Sequence, residues 1–176
     1  MNHNDIQKLA LCLPILLVAV LLSLSASYFW HRGVTHVDFP FNVNQQIHLS
    51  HTEHHEADES HEAHGDFKHV VKILVPLTLL GMAIAIKLPK IFGSGTGSGD
   101  IRWYQVYIWI IIIVVVGTFL TDWFMHMLYH KNPTWLQSSE WFQEKRRLHF
   151  VHHENPSANY GISTQIMDRI FDTFSS

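Results

Sequence analysis

Cysteine is almost missing. Cys12 is the only one in 176 residues, so no intramolecular disulfide can form and the cysteine-rich patterns of structural zinc are excluded. Nothing points to thiol catalysis. A strong charge of either sign is missing too: twelve Lys and Arg against fifteen Asp and Glu leave a net charge of -3. With no basic stripe, this argues against a nucleic-acid partner. There is no repeat of solenoid length. The glycine-rich stretch from Gly93 to Gly99 has no strand before it and no Gly-Lys-Ser/Thr after it, so it is expected to be a flexible turn and not a phosphate cradle. A chain of this length with several membrane spans is expected to form one domain over residues 1–176, with no room for an attached redox module.

What is abundant is hydrophobic sequence, 47% of the chain, gathered into three runs separated by polar, histidine-bearing segments. The first, Leu9 to Trp30, carries no charge and is about 33 Å long as a helix, enough to cross a bilayer core. A secretory signal ending in the small residues Ser23 to Ser27 is the alternative. It fits poorly, because the amino-terminal region carries only Lys8 against Asp5 and the run continues through Tyr28, Phe29 and Trp30 as an aromatic belt does. The second run, Val70 to Phe92, is interrupted by Pro76, Lys87 and Pro89. It still reads as a span, since Lys87 and Lys90 lie near its end and can snorkel. The third, Tyr104 to Leu120, flows into Asp122, His126 and His130. The expected fold is therefore all-α: about three transmembrane helices with a histidine-rich helical metal-binding region. Three spans put both histidine-bearing segments on one side. The bias of Lys and Arg, eight on that side (Arg32, Lys68, Lys72, Lys131, Lys145, Arg146, Arg147, Arg169) against Lys8, Lys87, Lys90 and Arg102, makes it the cytoplasmic side.

Ten of the fifteen histidines form four clusters: His31/His36, His51/His54/His55, His126/His130 and His149/His152/His153. Helical periodicity brings i, i+3 and i+4 toward one face, so each His-x-x-His-His motif is expected to present three rings to one point and His126/His130 two. Imidazole suits iron, zinc and copper, and the pattern reads as a two-metal site. An isolated histidine pair is ordinary surface chemistry; four clusters with one motif repeated are not. A metal-buffering loop fits His48, His61, His64 and His69 around the acidic stretch Glu53 to Asp66, but not the C-terminal clusters. His31 and His36 are five apart, far off-face in a regular α-helix, so the helix must end, bend at Gly33 or carry a π-bulge for both to bind. Pro133 and Pro156 are expected to bound a helix from about Ser138 to His153. Asp122 and Asp168 are candidates to accept a second imidazole N–H, with ordinary surface or helix-terminal roles as the alternative.

In order and spacing these clusters resemble the histidine boxes of the fatty acid hydroxylase and sterol desaturase superfamily: His31-Arg-Gly-Val-Thr-His36, His51-Thr-Glu-His54-His55, His126-Met-Leu-Tyr-His130 and His149-Phe-Val-His152-His153. The spacing is closest to the fatty acid 2-hydroxylase branch. The tail from Asn159-Tyr160-Gly161 to Asp168-Arg-Ile-Phe171-Asp-Thr173 is similar to the family's closing signature, and the likeness covers roughly residues 25 to 174. Met167 stands where the family usually has Trp, and Asp172 where it usually has Gly. The family usually has four or more spans, so substrate cover is expected to be thin or shared with a neighbouring subunit of an oligomer.

The resemblance implies an integral-membrane, multi-pass oxidoreductase that uses O2. All ten clustered histidines would hold two iron ions, with zinc able to occupy the same imidazoles. His126, His130, His152 and His153 would be the core of the catalytic centre, supported by Asp122, Asn159 and Asp168. The chemistry would be abstraction of hydrogen from an unactivated C–H bond of a bilayer lipid and return of hydroxyl, with electrons from a separate donor protein. Desaturation or demethylation of a sterol-like substrate shares the hydrogen abstraction and stays open. A divalent-metal transporter or storage protein would place ligands near the bilayer midplane, where these runs carry no histidine or acid.

Overall fold

A computed structural model describes residues 3–37, 42–56, 71, 75–76, 78–83, 87 and 98–176, and among them there are helices but no strand. The chain opens with α1 (His3–Ala10) and α2 (Cys12–Phe29). Pro14 has no N–H to give to the turn before it, which accounts for the irregular step at Leu11 between two otherwise continuous helices. At Trp30 the winding widens into a π-helical turn through Thr35, where the Thr35 hydroxyl donates back to the His31 carbonyl. Next come α3 (Asn42–Glu56) and the long α4 (Ser98–Lys131).

Two stretches, Asp5–Thr35 and Gln105–Lys131, are long and apolar enough to cross a membrane. They leave large apolar side chains uncovered, among them Leu13 at 72% and Ile113 at 66% exposure, as suits a surface solvated by lipid. The expected span over Val70 to Phe92 lies mostly outside the described residues; those described within it, 71, 75–76, 78–83 and 87, are helical. The expected turn over Gly93 to Gly99 also lies largely outside them, as do His61, His64 and His69.

After α4 the chain turns sharply. Asn132 takes a left-handed conformation (φ 39°) and its N–H closes on the Leu128 carbonyl at 2.9 Å, with Pro133 next to stop the helix. A single 3-10 turn, Thr134–Leu136, leads to α5 (Glu140–Glu154), within two residues of expectation. Ser139 caps α5 by accepting the Phe142 N–H at 3.3 Å. The short α6 (Ile166–Ile170) closes the fold.

The chain divides into two compact units, Met1–Ser23 with Val71–Thr118, and Leu24–Val70 with Phe119–Ser176. In the first, the Tyr107 hydroxyl donates to the Lys8 carbonyl at 2.9 Å, and Gly81 lies so close to Ile112 that a Cβ there would come within 3.1 Å of its side chain. The second unit holds every clustered histidine. Its two small apolar cores are Tyr28, Tyr160 and Met167 with Leu24, and Leu128, Tyr129 and Phe142 with Met125, Leu136 and Ile162. Met167, at the position where Trp is usual, is buried and takes the Ser25 hydroxyl on its sulfur at 3.5 Å. Asp172, where Gly is usual, has φ 57°, the left-handed conformation that Gly adopts freely and Asp tolerates better than most residues.

Phe142 is fully buried and Trp141 beside it is 58% exposed. Phe142→Ala is expected to cost about 3–5 kcal/mol and Trp141→Ala under about 0.5 kcal/mol. Thermal unfolding of the detergent-solubilised protein, followed by circular dichroism, should show a large drop in Tm for the first and almost none for the second.

Candidate metal centre

The ten clustered histidines converge, but not motif by motif. His31, His36, His51, His55 and His152 form one group, and His54, His126, His130, His149 and His153 form another; within each group the five candidate donor atoms lie within 4.8 Å of one another. The expectation that each His-x-x-His-His motif aims three rings at one point is corrected here. At about 100° per residue, positions i and i+4 lie about 40° apart, whereas i+3 and i+4 lie about 100° apart. His51 and His55 therefore share a group while His54 faces the other. In α5, His149 and His153 share a group while His152 crosses over. The π-turn resolves the five-residue spacing of His31 and His36. Its hydrogen bonds close i to i+5, which brings the fifth residue round to the same side.

The donor atoms of each group are placed to hold a cation. His31 Nδ1–H donates to the Tyr160 carbonyl and His152 Nδ1–H to the Ala158 carbonyl, each at 2.6 Å; since a carbonyl only accepts, Nε2 of each neutral ring is a bare lone pair. Those lone pairs face other Nε2 atoms, His31 to His51 at 3.2 Å and His152 to His36 at 3.1 Å. His51 Nε2 also lies 3.0 Å from both His36 and His55. One nitrogen cannot satisfy three such neighbours with a single proton or lone pair. In the second group His54–His126, His130–His149 and His153–His149 are 2.9, 3.0 and 3.1 Å apart. For a metal–imidazole bond of about 2.1 Å, neighbours on an octahedron lie about 3.0 Å apart and on a tetrahedron about 3.4 Å. The close pairs are spaced as ligands of one ion would be, and five nitrogens exceed the four that a structural zinc takes.

Burial, reinforced by repulsion from neighbouring rings, pushes the imidazoles down from their usual 6.5: His36 to about 3, His55 to about 4, and His51, His149 and His152 well below it. At pH 7 these rings are neutral, the form that binds metal.

Of the three polar residues expected beside the site, Asp168 reaches a histidine, and it does so through the backbone. Asp168, fully buried, accepts the N–H of Tyr160 at 2.7 Å and of Gly161 at 2.9 Å, together with the Thr173 hydroxyl. The carbonyl of the same Tyr160 is the one that His31 holds. Asn159 (φ 53°) donates to the carbonyls of Leu148 and Ser175 and accepts the Ser175 N–H, fastening the tail to α5. Asp122 accepts the hydroxyls of Ser27 and Ser163 and the Ser163 N–H, not an imidazole. The carbonyls of Tyr160 and Ala158 were beyond reach of sequence spacing, although Tyr160 lies in the closing signature. His48, outside both groups, donates to the Thr35 carbonyl at 2.8 Å.

Beside the groups lies a cleft, open to its surroundings, with a cavity volume of about 70 Å³. Trp30, Phe119, Trp123, Ile47 and Ile162 form most of its wall; His31 and His51 of one group and His126 of the other also line it.

Two outcomes are expected. Because the folded imidazoles titrate below 6.5, the unfolded chain takes up more protons as pH falls. The metal-free protein should hold its full stability above about pH 6.5 and lose it progressively toward pH 4 to 3, read as a falling Tm. At Gly161, an added Cβ would collide with the Thr164 carbonyl and come within 2.7 Å of the Asp168 carboxylate. Gly161→Ala should therefore disturb the Tyr160 carbonyl and weaken metal binding by the His31 group about 10–100-fold, measured by metal titration.

The family model described as fatty acid hydroxylase matches residues 16–173. No curated protein and no solved structure gives a significant match. With that match running through both units and every histidine cluster, the chain belongs to the fatty acid hydroxylase family, and its histidine groups and apolar helices fit a membrane-bound histidine-box oxygenase.

Proposed function

We propose that this chain hydroxylates a C–H bond of a bilayer lipid, fatty acyl or related, using O2, two irons and electrons from a separate donor protein. The observation that carries this reading is the pair of five-imidazole groups: all ten would serve as ligands, His31, His36, His51, His55 and His152 for one ion, and His54, His126, His130, His149 and His153 for the other. Imidazole-only ligation leaves each ion's charge unneutralised and suits iron among the redox-active metals. When bound, the metals supply the dioxygen activation and hydrogen abstraction that no side chain can.

The protein's own part is legible in its residues. The carbonyls of Tyr160 and Ala158 hold the rings of His31 and His152 in one tautomer with Nε2 inward. Low proton affinity keeps the outlying rings ready to ligate at neutral pH. Trp30, Phe119, Trp123, Ile47 and Ile162 give an open, largely apolar cleft beside both groups, against which a lipid chain would lie. The spacing of the boxes favours the fatty acid 2-hydroxylase branch. The excess of Lys and Arg beside the histidines favours a multi-pass arrangement with the metals on the cytoplasmic side, within reach of a soluble or membrane-anchored reductant.

Native-host membranes carrying the wild-type chain should contain a lipid one oxygen heavier, seen by mass spectrometry. His152→Ala, which removes one of the five lone pairs of its group, should lower that product at least about 100-fold and reduce bound iron below two per chain, without preventing membrane insertion. A product lighter by two hydrogens would replace hydroxylation with desaturation. Undiminished product from the variant would overturn the assignment, and retained metal with no lipid product from the wild type would point to a binding or transport role.

A further inference from the structure

An acid inside a membrane-spanning helix is costly and rare, and it marks a functional site by default. Asp122 is such an acid. It stands within the span Gln105–Lys131, is 7% exposed, and lines the otherwise largely apolar cavity beside the histidine groups. Its neighbours explain part of its presence. The Ser163 N–H and hydroxyl both go to Oδ1, while the Ser27 hydroxyl alone goes to Oδ2. A carboxylate offers about four acceptor positions, so one remains on Oδ2, on the oxygen shared with a second cavity residue, Ser27.

Its height in the fold matters as much. Ser27 stands four residues before His31, and Asp122 four residues before His126, each a rise of about 6 Å from a histidine of one group. A distance of that order is covered by a few carbon–carbon bonds. We infer that Asp122, with Ser27 beside it, selects lipids that carry a hydroxyl or amide N–H donor a few bonds from the carbon to be oxidised. The donor fills the remaining Oδ2 position, and the wall formed by Trp30, Phe119 and Trp123 takes the adjoining chain. A free carboxylate head is disfavoured, because it presents lone pairs and charge to an oxygen that needs a donor. The inference rests on the lipid oxygenase reading and adds to it the chemistry of the headgroup.

The test is competition binding on the full-length, detergent-solubilised, metal-free protein, with tritiated 1-octadecanol displaced by 1-octadecanol, methyl octadecyl ether or stearate. The wild type is expected to bind the alcohol at least about tenfold more tightly than the ether or stearate, since a site built to pair with a donor rejects the analogue lacking it. In Asp122→Asn the gap between alcohol and ether should close to under about threefold. Ser163→Ala, which removes a strut on the far oxygen, should keep the wild-type preference. Equal affinity of the wild type for alcohol and ether overturns the inference without need of any variant. So does an Asp122→Asn protein that loses both lipids in equal proportion, as a purely structural strut would. Oxidised lipid formed by the loaded enzyme alongside equal affinities would overturn the inference alone. Failure of all three lipids to displace the label, together with no oxidised product, would overturn the oxygenase reading as well.

Discussion

Two helices, α3 and α5, each give two imidazoles to one group of five and a single imidazole to the other, and the second unit depends on that exchange. Neither group can be assembled by one helix or by one pair of neighbours. His152 must leave the side of α5 that holds His149 and His153, and His54 must do the same on α3. The helices are thereby constrained in rotation as well as position, because turning either to improve one group withdraws a ligand from the other. Ten polar rings are drawn into a small volume with their lone pairs facing, an arrangement that is unfavourable without a cation. A bound ion would satisfy those facing lone pairs, so its binding would add to the packing of this unit.

Around that centre the polar residues work at one remove. Asp168 grips two successive backbone N–H groups, and the peptide it holds turns its carbonyl toward His31. Asn159 ties the C-terminal residues to α5, close to where Ala158 receives His152. The chain after α5 is therefore a belt that sets ring orientation on both the π-turn and α5. The two tyrosines of the small core, Tyr28 and Tyr160, carry the same connection through packing: their rings meet edge to face at 5.7 Å, and Arg32 lies over both.

Much of this was legible in the sequence. Helical spacing identified the ten histidines, and the awkward interval between His31 and His36 announced a departure from α geometry, met by the π-turn. Pro133 and Pro156 bounded α5 to within two residues. Spacing could not reveal the exchange of ligands. It gives the angle between rings on one helix but not which neighbour each ring meets, and that depends on how α3, α4 and α5 pack. Nor could it separate a carboxylate on an imidazole from one acting through a peptide, because that choice is made by the backbone path after Pro156. The cavity is assembled from Trp30, Ile47, Phe119, Trp123 and Ile162, residues that periodicity alone reads as ordinary apolar faces.

The π-turn separates two kinds of change that a chain can accumulate. A Cβ on Gly33 would meet nothing within 4 Å, and Val34 is only half-buried, so these positions place little demand on side-chain identity. Their number is another matter. Removing one residue between His31 and His36 would leave them four apart, on one side in ordinary α winding, whereas adding one would swing His36 away from His152 by roughly a quarter turn. Along this segment, drift in composition is cheap and a shorter interval keeps both rings on one side, while a longer interval withdraws a ring from its group.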